Sequence, residues 1–228
     1  AIATFGTNEL LIWRMHADFA VPAKSSFTGP VKLPVIPFRM MCDGGSCVKQ
    51  PSTTQALDSV SDRPMNRLAY RRFASHESMV LSHSVTAGIS GGVRWYEVRG
   101  GTSPTPTLFQ QGTYAPDGFY RWMASPAIDR KGNIGIGYSF GGAPNFAGQR
   151  FAGRLANDPL GLLTLKETVL VEGEGIQNVM RWEDYTQTAV DPSDDCTIWY
   201  VGDYMKKGET NYSSKIGAFR FPGCERGR

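Results

Sequence analysis

The chain has 228 residues, 41% of them hydrophobic and 20% charged, with a formal net charge of +3. That balance belongs to a globular protein long enough for a sizeable core. So small a charge, with no basic stripe, excludes nucleic acid or an anionic membrane as an expected partner, and no apolar run reaches the roughly 18 residues that a membrane span needs.

The first residues, Ala1-Ile2-Ala3-Thr4-Phe5-Gly6, lack the basic start and long apolar stretch of a secretion signal, so the chain reads as a mature or trimmed product. Short β-prone runs bounded by turn residues follow. They fall at Glu9 to Met15, Val31 to Phe38, Ser78 to Val85, Gly92 to Arg99, Ile134 to Phe140, Gln149 to Leu155, Thr164 to Glu172, Thr197 to Val201 and Lys215 to Phe221. Cys42 and Cys47 flank an Asp-Gly-Gly turn that brings them within disulfide reach. Cys196, in one predicted strand, and Cys224, just after the last, form a second expected pair. Two disulfides imply an oxidising compartment and a secreted protein. Buried free thiols are the alternative; the spacings and His16, His76 and His83 fit no zinc site. Gln55 to Ser61 reads as a short helix or a surface loop.

Three segments then repeat an arginine, an aromatic residue, a polar turn and a strand-like run. They begin at Arg72-Phe73, Arg121-Trp122 and Arg181-Trp182. The last two agree further, with Ala127-Ile128-Asp129 matching Ala189-Val190-Asp191 and a tyrosine nine residues later in each, Tyr138 and Tyr200. Self-similarity at roughly 50–60 residues in a strand-rich chain predicts propeller blades. The expected fold is all-β, a β-propeller portion of about three four-stranded blades. A blade remnant covers 1–40, a disulfide loop and linker 41–66, and blades about 67–112, 113–175 and 176–224. Because closed propellers have about 4–8 blades, the rest of the ring is expected from another segment, another chain or a second copy.

Asp117-Gly118-Phe119-Tyr120-Arg121-Trp122, Asn133 to Ser139, Gly153 to Gly161, Arg181 to Tyr185 and Val190 to Tyr200 together resemble a group of secreted bacterial propeller proteins, mostly uncharacterised and sometimes labelled sialidase-like. The resemblance covers about Cys42 to Cys224 and implies a propeller placed outside the cell. It implies little about activity, since fold does not fix function. The aspartate box of sialidases is matched only imperfectly, by Asp117 to Trp122.

Candidate chemistry centres on the repeats. Arg72, Arg121 and Arg181, placed alike in successive blades, would converge on a carboxylate or sulfate, or would serve as scaffold between blades. The turns after them differ. Glu77 and Asp184 would supply the carboxylate pair of a glycoside hydrolase, Tyr185 a nucleophile, and His76 a neighbour that tunes a pKa. Ordinary turn capping is the competing reading. Asp191, Asp194 and Asp195, with Asp129 and Asn133, offer too few oxygens for Ca²⁺, so no cofactor is expected. Gly137-Tyr138-Ser139-Phe140-Gly141 matches a serine-hydrolase elbow by chance, because no helix can follow it. The expected role is a secreted binding or interaction module for a glycan or a protein surface. The alternatives are a sialidase-like glycoside hydrolase and a structural subunit of a larger extracellular assembly.

Overall fold

The computed structural model describes residues 2–6 and 8–224. Among them the chain is all-β, with 3-10 turns only at Pro22–Lys24 and Met41–Gly44. An N-terminal antiparallel sheet joins β1 (Ile2–Gly6), β2 (Glu9–His16) and β3 (Ser26–Pro34). A small pair follows, β4 (Ser46–Val48) with β5 (Leu57–Asp58). The next sheet runs β6 (Ala69–Arg72), β7 (Glu77–Ala87), β8 (Ser90–Arg99) and β9 (Thr107–Tyr114). After it come β10 (Tyr120–Ile128), β11 (Ile134–Gly142), β12 (Asn145–Arg154) and β13 (Leu165–Val171). The last sheet holds β14 (Gln187–Val190), β15 (Ile198–Tyr204) and β16 (Ser213–Phe219). All pairings are antiparallel neighbours in sequence, as short turns between strands require.

The larger sheets pack face to face in chain order. Leu10, Ile12 and Leu33 of the N-terminal sheet meet Met79, Leu81, Tyr96 and Val98. From the other face of the β6–β9 sheet, Val80, Val93 and Trp95 meet Ala124, Ile136 and Tyr138. The far face of the β10–β13 sheet receives Ile198, Tyr200 and Phe219, with Phe151 stacked on Phe219 at 4.2 Å between ring centroids. Strand β11 is therefore covered on both faces and buried throughout, which gives a continuous run rather than an in-out alternation. Its Gly137 allows the last contact. A Cβ there would stand 2.3 Å from the Tyr200 ring, so any larger residue would push the sheets apart. No closed ring of sheets is formed among the described residues.

The inner edge of β7 is covered by segments that precede it. β6 pairs with residues 77–80, the Met65 N–H donates to the Ser82 carbonyl, and Met40 bridges to Val85. The stretch expected as a disulfide loop and linker thus belongs to the core: Met41, Val48, Leu57 and Met65 pack with Trp122 and Trp182. The expected helix or surface loop at 55–61 contains β5, and the Ser59 and Ser61 hydroxyls donate to the Met41 carbonyl. Both expected disulfides are present, Cys42–Cys47 and Cys196–Cys224, with Cα separations of 5.3 and 5.5 Å. Among the described residues no helix is long and apolar enough to cross a membrane.

Candidate functional site

Two of the three arginine-aromatic copies are structural counterparts. Trp122 and Trp182 lie in one core cluster with ring centroids 6.2 Å apart. Each is followed by a residue of positive φ, Met123 at 50° and Glu183 at 27°, a conformation uncommon outside glycine. In the second sheet of the repeat this kink accompanies a bulge in β10 between Trp122 and Ser125. The first copy departs from the expected pattern. Arg72 ends β6 and pairs with Glu77 across a turn, so its segment precedes the inner strand by a hairpin instead of leading into it. Phe73 stacks on His76 at 4.8 Å and packs against a different cluster.

The three arginines accordingly occupy three different settings and do not converge. Arg72 is exposed on β6. Arg121 is fully buried; its guanidinium donates to Asp117 Oδ1 at 2.7 Å and Glu167 Oε1 at 2.7 Å. Those hydrogen bonds and charges raise its pKa against the burial that lowers it. Arg181 stays half in solvent and pairs with Asp184 and, at 3.4 Å, with Asp58. Arg121 is a scaffold ion pair, whereas Arg181 opens to solvent beside its carboxylate partners.

Glu77 and Asp184 are engaged by different partners. Glu77, at the start of β7, accepts hydrogen bonds from the Thr102 hydroxyl and N–H, which lower its pKa. Asp184 lies in a wall that includes Leu81, four residues along the same strand as Glu77 and about 13 Å away at the usual rise. His76 bonds the Ser75 hydroxyl at 2.9 Å and lies with Phe73, away from this wall.

Around Asp184 two clefts meet. One, of about 320 Å³, is lined by Arg181 to Thr186, Val201 to Asp203 and Tyr212. The other, of about 390 Å³, is lined by Val60, Arg63 to Leu68 and Leu81. Asp184 and Tyr185 line both. Tyr185 is 80% exposed, an aromatic side chain held over the junction. Asp184 Oδ2 takes the Arg181 guanidinium, while Oδ1 is buried with no hydrogen-bond partner among the described residues. An unpaired buried acceptor is costly and points to a missing donor.

Beneath this wall lies a buried polar network. Trp182 Nε1 donates to Ser139 Oγ at 2.9 Å, and Ser139 Oγ donates to Glu183 Oε2 at 2.7 Å. Gln149 Nε2 also reaches Glu183, the Asp203 N–H reaches its other oxygen, and the Tyr200 hydroxyl donates to Gln149 Oε1. Burial pushes the Glu183 pKa up to about 8, opposed by the hydrogen bonds from Ser139, Asp203 N–H and Gln149. Burial thus favours the protonated acid, while three donors to its two oxygens favour the carboxylate. It was not among the expected site residues, yet the aligned copies carried a signal: methionine follows Arg-Trp in one and glutamate in the other.

The aspartates considered for Ca²⁺ act as turn caps. Asp194 Oδ1 accepts the N–H groups of Cys196 and Thr197, Asp129 Oδ1 those of Lys131 and Asn133, and Asp195 pairs with Arg71. No group of three or more metal-ligating side chains occurs among the described residues. No family model matches the chain, and no curated protein or solved structure matches it.

Proposed function

We propose that this chain is part of a secreted β-propeller and acts as a glycan-binding module through the double cleft at Asp184 and Tyr185. The consecutive stacking of antiparallel sheets supports the propeller reading. The two disulfides support an oxidising compartment. The observation that carries the binding reading is the exposed Tyr185 ring beside the part-exposed Arg181–Asp184 pair where the two clefts meet. A sugar offers complements to both, hydroxyls for the ion pair and a C–H face for the aromatic ring. Arg181 adds donors for ring or hydroxyl oxygens, and Trp182 and Tyr212, edge to face at 5.6 Å, hold the floor rigid.

A glycan array probed with the chain tests this. Retention of a defined set of glycans is expected, with Tyr185→Ala and Asp184→Ala each weakening binding about tenfold or more, a loss near 1.4 kcal/mol. An array without retained glycans, or binding indifferent to both substitutions, would remove the proposal.

Glu183 favours a second reading, a glycoside hydrolase whose protonated acid is Glu183 and not Glu77. A carboxyl pKa raised by burial is what a general acid needs, and Asp184 and Asp203 line the same cleft. Both Glu183 oxygens are engaged by internal donors, which is why binding is preferred. Release of aryl alcohol from an aryl glycoside, abolished in Glu183→Gln, would put hydrolysis first.

A further inference from the structure

A third cleft, of about 410 Å³, lies where the N-terminal sheet meets the connection between β8 and β9. Arg14 and His16 of β2, Ser26 and Thr28 of β3, and Thr102 of that connection line it. The first four share one face of the hairpin. Along β2, Arg14 and His16 continue the Leu10 and Ile12 side that packs on the β6–β9 sheet. Across the pair, Arg14 stands opposite Thr28 and His16 opposite Ser26.

A bulge in β3 makes this arrangement. Ile12 pairs with Val31, but Arg14 pairs with Thr28, one residue out of step. In an unbroken register Phe27 would stand opposite His16; the extra residue puts Ser26 there and turns Phe27 to the other face. Gly29 supplies the bend at φ 129°, where a Cβ would lie 2.7 Å from the Ile12 carbonyl oxygen.

No carboxylate lines the cleft among the described residues. Arg71, Arg99, Arg121, Arg150 and Arg181 each reach a carboxylate. The Arg14 guanidinium reaches only the Thr102 carbonyl, at 3.5 Å, the outer limit of a hydrogen bond. Nearby acids are engaged elsewhere: Glu77 holds the Thr102 hydroxyl and N–H, and Asp18 accepts the N–H groups of Ala20 and Val21.

We propose that this cleft binds the sulfate or phosphate group of a small ester. Arg14 is the charged donor, and the His16 ring and the Ser26 and Thr28 hydroxyls are further donors around it. The two oxygens of a carboxylate are filled by the guanidinium fork alone; donors beyond the fork suit a group with a third terminal oxygen. The cleft is also larger than a bare ion requires and falls in the roughly 300–1,000 Å³ range of small-molecule sites.

Calorimetric titration of the chain with inorganic sulfate and phosphate, at ionic strength held constant with chloride, tests this. Saturable binding of one ion per chain is expected, with acetate weaker. Arg14→Gln should weaken it about tenfold or more, and Thr28→Val, which exchanges a hydroxyl for a methyl, about threefold or more, with circular dichroism unchanged. A hexose sulfate and a hexose phosphate then separate the two sources, the tighter one naming the ester. Absence of saturation, acetate binding as tightly as sulfate and phosphate, or an affinity unchanged in Arg14→Gln or in Thr28→Val would each overturn the proposal. Should Arg14→Gln fail to fold, Thr28→Val alone decides. Asp184→Ala should leave anion binding intact; a loss there would place the ion in the other clefts and also overturn it. Glycan retention at Tyr185 stands or falls separately, because the two sites share no lining residue.

Discussion

Arg121-Trp122-Met123 and Arg181-Trp182-Glu183 place the same backbone kink and neighbouring tryptophans in two different surroundings. In the first, Arg121 is shut between Asp117 and Glu167, and Met123 joins the apolar core. In the second, Arg181 reaches solvent beside a cleft and a buried acid replaces the methionine. The difference shows how a repeat can divide labour. One copy satisfies its polar groups internally and holds sheets together; the other leaves an ion pair and an aromatic ring open to solvent beside a cleft.

The largest expected effect tests the scaffold copy. Arg121→Ala takes the fully buried guanidinium from Asp117 and Glu167, leaving Glu167 with Arg150 and Tyr138 alone, and should cost about 3 kcal/mol in urea unfolding, the lower end for a broken buried pair. Arg181→Ala should cost less than about 1 kcal/mol, as exposed ion pairs do. Equal losses would break the comparison. The next effect concerns the acid of the other copy. Because Glu183 titrates near 8 when folded and near the ordinary 4.5 when unfolded, the folded chain keeps a proton that the unfolded chain releases between those values. Stability should therefore fall as pH rises from 4.5, by up to about 1.4 kcal/mol per unit, and level off above 8. Glu183→Gln should abolish that slope; an unchanged slope would assign it to another group. Gly137→Ala, which forces a methyl against Tyr200, should cost about 1–3 kcal/mol, and full stability would show that the sheets can separate there. Smallest of all, Tyr185→Ala should change the unfolding free energy by no more than the roughly 0.5 kcal/mol of an ordinary surface change while removing glycan retention.

Strand content, the disulfides and the kinship of Trp122 with Trp182 were legible because each rests on local pattern: β-prone runs between turns, cysteines around a tight turn, a repeated dipeptide. Strands β6 and β9 were not marked, since runs used as edges lose the alternation that announces a strand. Arg72 matched the repeat by residue type alone. Its segment is a hairpin partner of β7, and only pairing distinguishes that from a leading turn. The same holds for Glu77 and Asp184, both carboxylates that follow a repeat arginine but bonded to different elements.

By itself the sequence determined an all-β chain, its two cystine pairs and a repeated Arg-Trp kink, because turn chemistry, strand propensity and short-range spacing act within a few residues. Only the tertiary structure decided that Arg121 is sealed while Arg181 is open, that Glu183 is the buried acid, and that Trp95 is buried while Trp199 is exposed. Those outcomes depend on which sheet lies against which face, and burial of a charge or a ring is a property of the neighbours and not of the residue.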